Sequence, residues 1–182
     1  MKDLYIIETG GFGREVAWLV KRINAIEPTW NLLGFLDDNE AKYGSYEDGY
    51  PVLGTCDYLS KLSNEVWAVC AVGAAKVGKI IIEKCHTYSN VVKFATLIDP
   101  SVLISKRVEI GMGTVICAGT IITVDISIGN HVIINLDCTL GHDDIVHDFV
   151  TIYPSVNISG LVEIGECCEL GTGTQIFPLG KS

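Results

Sequence analysis

The second half of the chain carries an aliphatic residue at every sixth position over fourteen consecutive hexads. A helix repeats every 3.6 residues and a strand every two, so neither explains a period of six. A hexapeptide repeat is typical of a β-helix, in which each hexad forms one short strand and one turn. We therefore predict that residues 96–182 form a β-helix whose coils stack these side chains into a continuous core. The repeated positions are Ile98, Ile104, Ile110, Ile116, Ile122, Ile128, Ile134, Leu140, Val146, Ile152, Ile158, Ile164, Leu170 and Ile176.

The first half of the chain alternates short apolar runs with amphipathic segments. The apolar runs 4–8, 30–38 and 66–72 predict buried strands, and the periodic segments 14–26 and 75–87 predict helices. The polar segment 39–54 predicts a loop. Strands and helices in this order are typical of a small parallel sheet with crossover helices. We therefore predict an α/β, Rossmann-like domain over residues 1–95, followed by the β-helix.

Composition and charge exclude several classes of protein and of binding partner. Hydrophobic residues make up 48% of the 182 residues and charged residues 19%, which excludes a disordered chain. The net charge of −9, without a basic run, disfavours nucleic acid and anionic membranes as partners. No signal peptide or membrane-length apolar run is recognisable, and the seven cysteines include no C-x-x-C pair. These features predict a cytoplasmic protein with reduced thiols.

Five motifs occur along the chain in an order that resembles one known family. They are "GGFGREV", "FLDD", "AVGAAKVGKIIIEK", "ATLIDPS" and "LGHDDIVHDF". Their order resembles the bacterial sugar O-acyltransferases, hexapeptide-repeat transferases that include sialic acid O-acetyltransferases and the bacillosamine-pathway aminosugar acetyltransferase. The resemblance implies a left-handed parallel β-helix with three hexads per coil, and a homotrimer. It also implies acyl transfer from acetyl-CoA to an amine or hydroxyl of a sugar, usually nucleotide-linked.

The motif "LGHDD" holds the candidate catalytic residues. His142 is the third residue of its hexad, so we expect it at a turn with its side chain directed away from the core. Acyl transfer needs a base for the attacking group, and neutral imidazole suits that role near pH 7. A carboxylate at Asp143 favours the protonated imidazole and makes it a better base. The resemblance implies that His142 is the base and Asp143 its modulator, although the residues alone fit a surface histidine in an acidic turn equally well.

The segment "TGGFGREV" follows a predicted strand and opens a predicted helix, which is the context of a phosphate-binding loop. Glu8 replaces the usual first glycine and would repel a phosphate that it faced. In dinucleotide folds an acid at a later strand end bonds a ribose hydroxyl. Alternatively, the glycines only permit a tight turn. The resemblance implies that the nucleotide part of a UDP-sugar contacts Gly10, Gly11, Phe12, Asp37, Asp38, Gly73 and Ala74.

The hexads are still in phase when the sequence stops, whereas members of the family continue through further coils and a closing segment. Those segments help to bind the adenosine end of acetyl-CoA. We therefore expect residues 96–182 to lack C-terminal coils and a cap. The resemblance leaves Thr151 and Thr172 as acyl-donor contacts, and Thr151 stands where the family carries a second histidine.

Three other functions remain possible at this point. A trimeric protein that binds a nucleotide sugar without catalysis would explain the altered donor residues. The spacing of His142 and His147 matches two zinc ligands of the gamma-class carbonic anhydrases, but the segment 105–110 offers no third histidine. We therefore expect no metal, and His147 as a solvated or interface residue. An NAD-dependent dehydrogenase ranks last, because hydride transfer gives no reason for fourteen hexads.

Overall fold

The computed structural model describes residues 1–88 and 91–178 and forms two compact units, Met1–Ala95 and Thr96–Ser182. Residues 179–182, the end of the predicted β-helix domain, lie outside the described residues. Within the described ranges, neither helix has the length and apolarity needed to cross a bilayer.

The first unit is built on a parallel sheet with two helices. Its strands are β1 (Lys2–Ile7), β2 (Trp30–Leu36), β3 (Tyr46–Glu47), β4 (Tyr50–Pro51), β5 (Val66–Cys70) and β6 (Val92–Phe94), and its helices are α1 (Gly11–Ile26) and α2 (Ala75–Tyr88). The parallel sheet has the order β2-β1-β5-β6, and β3 pairs with β4 as a hairpin. Leu4 to Ile7 of β1 are all buried, so both faces of the sheet are covered.

Several boundaries in this unit differ from the sequence prediction. β1 ends at Ile7 because Glu8 adopts a φ of 91°, outside the extended region. α1 begins at Gly11, and a Cβ on Gly13 would lie 2.2 Å from the carbonyl oxygen of Glu8. Glycine is therefore required for the first helical turn to pack against the end of β1. The predicted loop 39–54 contains the hairpin and a 3₁₀ turn (Glu40–Lys42), and β6 was not predicted.

The second unit is a parallel β-helix with three faces. Face 1 contains β7 (Leu97–Ile98), β10 (Val115–Ile116), β13 (Ile133–Ile134), β16 (Thr151–Ile152) and β19 (Glu169–Leu170). Face 2 contains β8 (Leu103–Ile104), β11 (Ile121–Ile122), β14 (Thr139–Leu140), β17 (Asn157–Ile158) and β20 (Gln175–Ile176). Face 3 contains β9 (Val108–Ile110), β12 (Ile126–Ile128), β15 (Ile145–Val146) and β18 (Glu163–Ile164).

The coils stack in the register that the hexads predict. Ile116 pairs with Ile134, and Ile134 with Ile152, so residues eighteen apart lie above one another. All three are 0% exposed and belong to one continuous apolar core. From Gly113 to Gly173, every sixth residue has a positive φ, which turns the chain from one face to the next.

Candidate acyl-transfer and ligand sites

The turn that follows β14 exposes a histidine–carboxylate pair. His142 Nδ1 lies 2.8 Å from Asp143 Oδ2, and the two side chains are 59% and 52% exposed. With its proton on Nδ1, the imidazole donates to this carboxylate and keeps a lone pair on Nε2. The sequence predicted both residues and the outward direction of His142. The imidazole is therefore oriented by the carboxylate and is open to solvent, which are two features that a general base requires.

Neighbouring coils clamp this turn from both sides. The backbone N–H of Asp143 donates to Val124 O at 3.2 Å, and Leu161 N–H donates to His142 O at 2.8 Å. A Cβ on Gly160 would lie 2.7 Å from His142 Nε2 and 2.6 Å from His142 O. Gly160 therefore leaves the space into which the imidazole packs. This contact was not predicted from the sequence, although the eighteen residues that separate Gly160 from His142 are the length of one coil.

A buried carboxyl group lies in the same turn. Asp144 is 0% exposed, at a position that Ile126 and Val162 occupy in adjacent coils. Its Oδ1 accepts a 3.0 Å hydrogen bond from Val162 N–H. Burial raises the pKa of Asp144, and backbone hydrogen bonds oppose that effect in part. This hydrogen bond is a second link between the His142 turn and the next coil. In the sequence, Asp144 could have been noticed as an acidic residue at a position that is aliphatic in both adjacent coils.

His147 belongs to a separate pair. Its Nε2 lies 2.7 Å from Glu163 Oε1, and its side chain is 46% exposed. The two histidines therefore bond different carboxylates. In the part of the chain that the structure describes, no group of three or more His, Cys, Asp or Glu side chains could hold a metal ion. The zinc hypothesis thus gains no ligand set from the fold.

The two residues predicted to contact the acyl donor, Thr151 and Thr172, do not lie in the turns between face 2 and face 3, where His142 lies. Thr151 is on face 1 and is 2% exposed, and Thr172 is exposed in the turn that follows β19. His142 instead follows β14 on face 2. A direct contact between Thr151 and an acyl donor is not supported by this burial.

In the first unit, the predicted ligand residues meet at one edge of the sheet. The loop with Gly10, Gly11 and Phe12 follows β1, and Gly73 and Ala74 follow β5. In the sheet, β2 lies on one side of β1 and β5 lies on the other, and the chain continues from β5 outward to β6. The direction of strand addition therefore reverses between β1 and β5, which makes this position a topological switch point. Open α/β sheets bind ligands at such points. A small pocket at this edge is lined by Ile7, Glu8, Leu36, Asp37, Asp38, Cys56 and Ile81.

Asp37 is occupied by contacts within the protein. Its carboxylate accepts hydrogen bonds from Lys42 Nζ at 2.7 Å, Asn39 N–H at 2.8 Å, Thr9 N–H at 3.2 Å and the Thr9 hydroxyl. Burial raises its pKa, but these hydrogen bonds outweigh burial and lower the pKa to about 2. Asp37 therefore holds the glycine loop in place. Asp38, next to it, is exposed and lines the pocket.

Asp37→Asn is expected to destabilise the chain by about 2 kcal/mol at pH 7. The folded-state pKa lies below the ordinary 3.8, so this contribution is present above pH 3.8 and is lost as the pH falls towards 2. Urea unfolding at several pH values measures the difference. The control is Asp38→Asn at the adjacent exposed position, expected within about 0.5 kcal/mol. A penalty for Asp37→Asn that stayed constant down to pH 2 would contradict this account.

Comparisons with known proteins cover both units. The family described as the PglD N-terminal domain matches residues 3–85. UDP-N-acetylbacillosamine N-acetyltransferase of Bacillus subtilis (strain 168) is 36% identical over 120 residues, which are 65% of this chain and 52% of the relative. GDP-perosamine N-acetyltransferase of Escherichia coli O157:H7 is 26% identical over 176 residues, 96% of this chain and 78% of the relative. The chain thus spans about half of the first relative and over three quarters of the second.

A solved structure matches nearly the whole chain. The acetyltransferase domain of PglB from Neisseria gonorrhoeae FA1090 has a TM-score of 0.85 and 30% identity, with 96% of this chain and 82% of that chain covered. The same domain in complex with acetyl coenzyme A has a TM-score of 0.83. The predicted fold, an N-terminal parallel sheet with helices and a left-handed parallel β-helix, is confirmed. The chain belongs to the hexapeptide-repeat sugar acetyltransferase family.

Proposed function

We propose that the chain is an acetyl-CoA-dependent N-acetyltransferase that acts on the amine of a nucleotide-linked amino sugar. The observation that carries this proposal is the exposed His142–Asp143 pair, whose imidazole is oriented through Nδ1. Two relatives are named as N-acetyltransferases of UDP-N-acetylbacillosamine and GDP-perosamine, which favours an amine over a hydroxyl. O-acetylation of a sugar such as sialic acid is the alternative within the family.

In the proposed reaction, the neutral sugar amine attacks the thioester carbonyl of acetyl-CoA. His142 Nε2 takes a proton from the attacking nitrogen as the C–N bond forms. The C–S bond then breaks, and the proton passes to the leaving sulfur, so the products are the N-acetyl sugar and CoA thiol. Asp143 keeps the imidazole in the tautomer that leaves Nε2 unprotonated.

The nucleotide sugar binds the first unit at the carboxyl edge of its sheet. Gly10, Gly11, Phe12, Gly73 and Ala74 provide backbone groups there, and Asp38 provides an exposed carboxylate. Asp37 acts indirectly, since it holds the loop. Acetyl-CoA binds the β-helix unit, where Thr172 remains the exposed candidate of the two predicted donor contacts.

The active assembly is a homotrimer in the cytoplasm, as the family resemblance implies. Aliphatic side chains are exposed close to His142 along the coils, with Val124 at 37%, Ile121 at 40% and Leu161 at 68%. A second copy of the chain would cover them. Among the described residues, none of the seven cysteines is in a disulfide bond and five are buried, which suits a reducing compartment. Analytical ultracentrifugation of the purified chain tests the trimer.

Gly160→Ala is expected to lower kcat by about tenfold or more, with a smaller effect on KM. The added Cβ would lie 2.7 Å from His142 Nε2, so the imidazole must leave its observed position. The matched control is Gly165→Ala, where the nearest neighbour of the added Cβ is Cys168 Sγ at 3.8 Å. Circular dichroism confirms that both variants are folded. Full kcat in folded Gly160→Ala would refute Gly160 as a positioning residue.

The function is tested by incubating the chain with acetyl-CoA and UDP-linked or GDP-linked amino sugars, with sialic acid in parallel. We expect CoA release and an N-acetyl product, detected by mass spectrometry, with the amino sugars. Thermal shift with each ligand separately measures binding. Stabilisation by a nucleotide sugar without turnover would instead indicate a binding protein. Turnover that requires stoichiometric zinc would favour the metal-dependent alternative.

A further inference from the structure

Glu8 occupies the anion-binding position of its own glycine loop. It follows β1 directly, where a phosphate-binding loop usually carries glycine, and its φ of 91° lies in a region that favours glycine. Its Oε1 accepts a 2.9 Å hydrogen bond from Gly10 N–H. In loops of this kind, backbone N–H groups normally face a phosphate. The Glu8 carboxylate therefore takes one of the donors that a phosphate would use.

The positive charges around the loop compensate Glu8 only in part. Lys42 Nζ lies 3.8 Å from Glu8 Oε1 but 2.7 Å from Asp37 Oδ2, so its shorter contact is to Asp37. Arg14, in the first turn of α1, lies 3.8 Å from Glu47. Asp38 adds another carboxylate to the same pocket. A diphosphate at the loop would meet repulsion from Glu8 and Asp38.

We propose that Glu8 excludes phosphate from the glycine loop, so that a hydroxyl-bearing ring of the nucleotide sugar lies against the loop instead. Sugar hydroxyls can donate hydrogen bonds to the carboxylates of Glu8 and Asp38 without adding negative charge. The diphosphate then lies outside the loop. This inference rests on the proposed function, and it makes Glu8 a residue that determines which part of the ligand the loop contacts.

The test compares nucleosides with nucleoside diphosphates on the full chain. Isothermal titration calorimetry with uridine, UDP, guanosine and GDP is run at low and high salt. The variants are Glu8→Gly, which restores the residue that suits a φ of 91°, and Glu8→Gln, which keeps an acceptor for Gly10 N–H but removes the charge. Glu27→Gln, at the other end of α1, removes the same charge away from the loop and is the control.

In the wild type, we expect the diphosphate to bind no more than about threefold tighter than its nucleoside, and its affinity to rise with salt. Glu8→Gly should raise diphosphate affinity at least about tenfold and reverse the salt dependence, whereas nucleoside affinity should fall because the ring hydroxyl loses the Glu8 carboxylate as its acceptor. Glu8→Gln should change in the same direction, and it decides the outcome if Glu8→Gly does not fold. Glu27→Gln should behave as the wild type.

Two outcomes would overturn the proposal, and they can be told apart. A wild type that binds the diphosphate at least about tenfold tighter than the nucleoside, with no gain in Glu8→Gly, refutes the role of Glu8 and leaves the proposed function standing. If neither the nucleosides nor the diphosphates bind the wild type or any variant, the nucleotide-sugar site fails and this inference fails with it.

Discussion

His142→Ala is expected to lower kcat for acetyl transfer by about 10²–10⁴-fold, with little change in the KM for either substrate. In the proposed mechanism the imidazole takes the proton from the attacking amine, and its side chain is 59% exposed, so its loss removes no core packing. Steady-state CoA release measures the effect. Added imidazole is expected to restore part of the rate, since it supplies the missing base without changing the fold.

The matched control is His147→Ala. His147 is also an exposed histidine that bonds a carboxylate, Glu163, and it lies five residues further along the chain. We expect its kcat to stay within about threefold of the wild type, because the proposed mechanism gives His147 no part in proton transfer. A His142→Ala protein with wild-type kcat would refute the proposed mechanism, whatever the control does.

Ile134→Ala is expected to destabilise the β-helix by about 2–5 kcal/mol. Ile134 is 0% exposed and lies between Ile116 and Ile152 in the aliphatic core of face 1. The shorter side chain loses its transfer free energy and leaves a cavity between two coils that cannot close without shifting their strands. Urea unfolding followed by circular dichroism measures the loss. Tryptophan fluorescence would not report on the β-helix, because all three tryptophans, Trp18, Trp30 and Trp67, lie in the first unit.

Two further variants serve as controls for the loss of stability expected in Ile134→Ala. Ile134→Val removes a single methyl group and should cost about 0.5–1.5 kcal/mol. Ile26→Ala, at the end of α1, removes the same atoms as Ile134→Ala from a residue that is 76% exposed, and should cost less than about 0.5 kcal/mol. Equal losses in the free energy of unfolding for Ile134→Ala and Ile26→Ala would mean that the stacked aliphatic core is not the main source of β-helix stability.

The hexads predicted the second unit in unusual detail. A period of six indicates both the strand and the turn of each repeat, and its unbroken phase predicts which residues face the core. The prediction of a buried side chain fails at Ile104, which is 37% exposed. The first unit was predicted less closely, since short apolar runs indicate that strands exist but not where they end. Glu8 ended β1 by leaving the extended region, and β6 was too short to be recognised in the sequence.

The candidate site shows the same division between local and distant information. The motif around His142 and Asp143 was recognisable because the two residues are adjacent, and their side chains bond as neighbours on one turn. Gly160 was not recognisable, because its contact with His142 exists only when one coil lies on the next. Asp144 stands one coil from Ile126 and Val162 in the sequence, but only the structure shows that its carboxyl group is buried and accepts a hydrogen bond from Val162 N–H.

The sequence by itself determined the repeat, the order of the two units and the turn that carries His142, since each depends on residues close together in the chain. Only the tertiary structure decided which charged groups meet at the glycine loop. Asp37 and Lys42 pair there with each other and with Thr9, while Glu8 bonds the loop itself. Lys42 lies within reach of Asp37, Thr9 and Glu8 only after folding brings these separate segments of the chain together, so the sequence could not show which of them it would bond most closely.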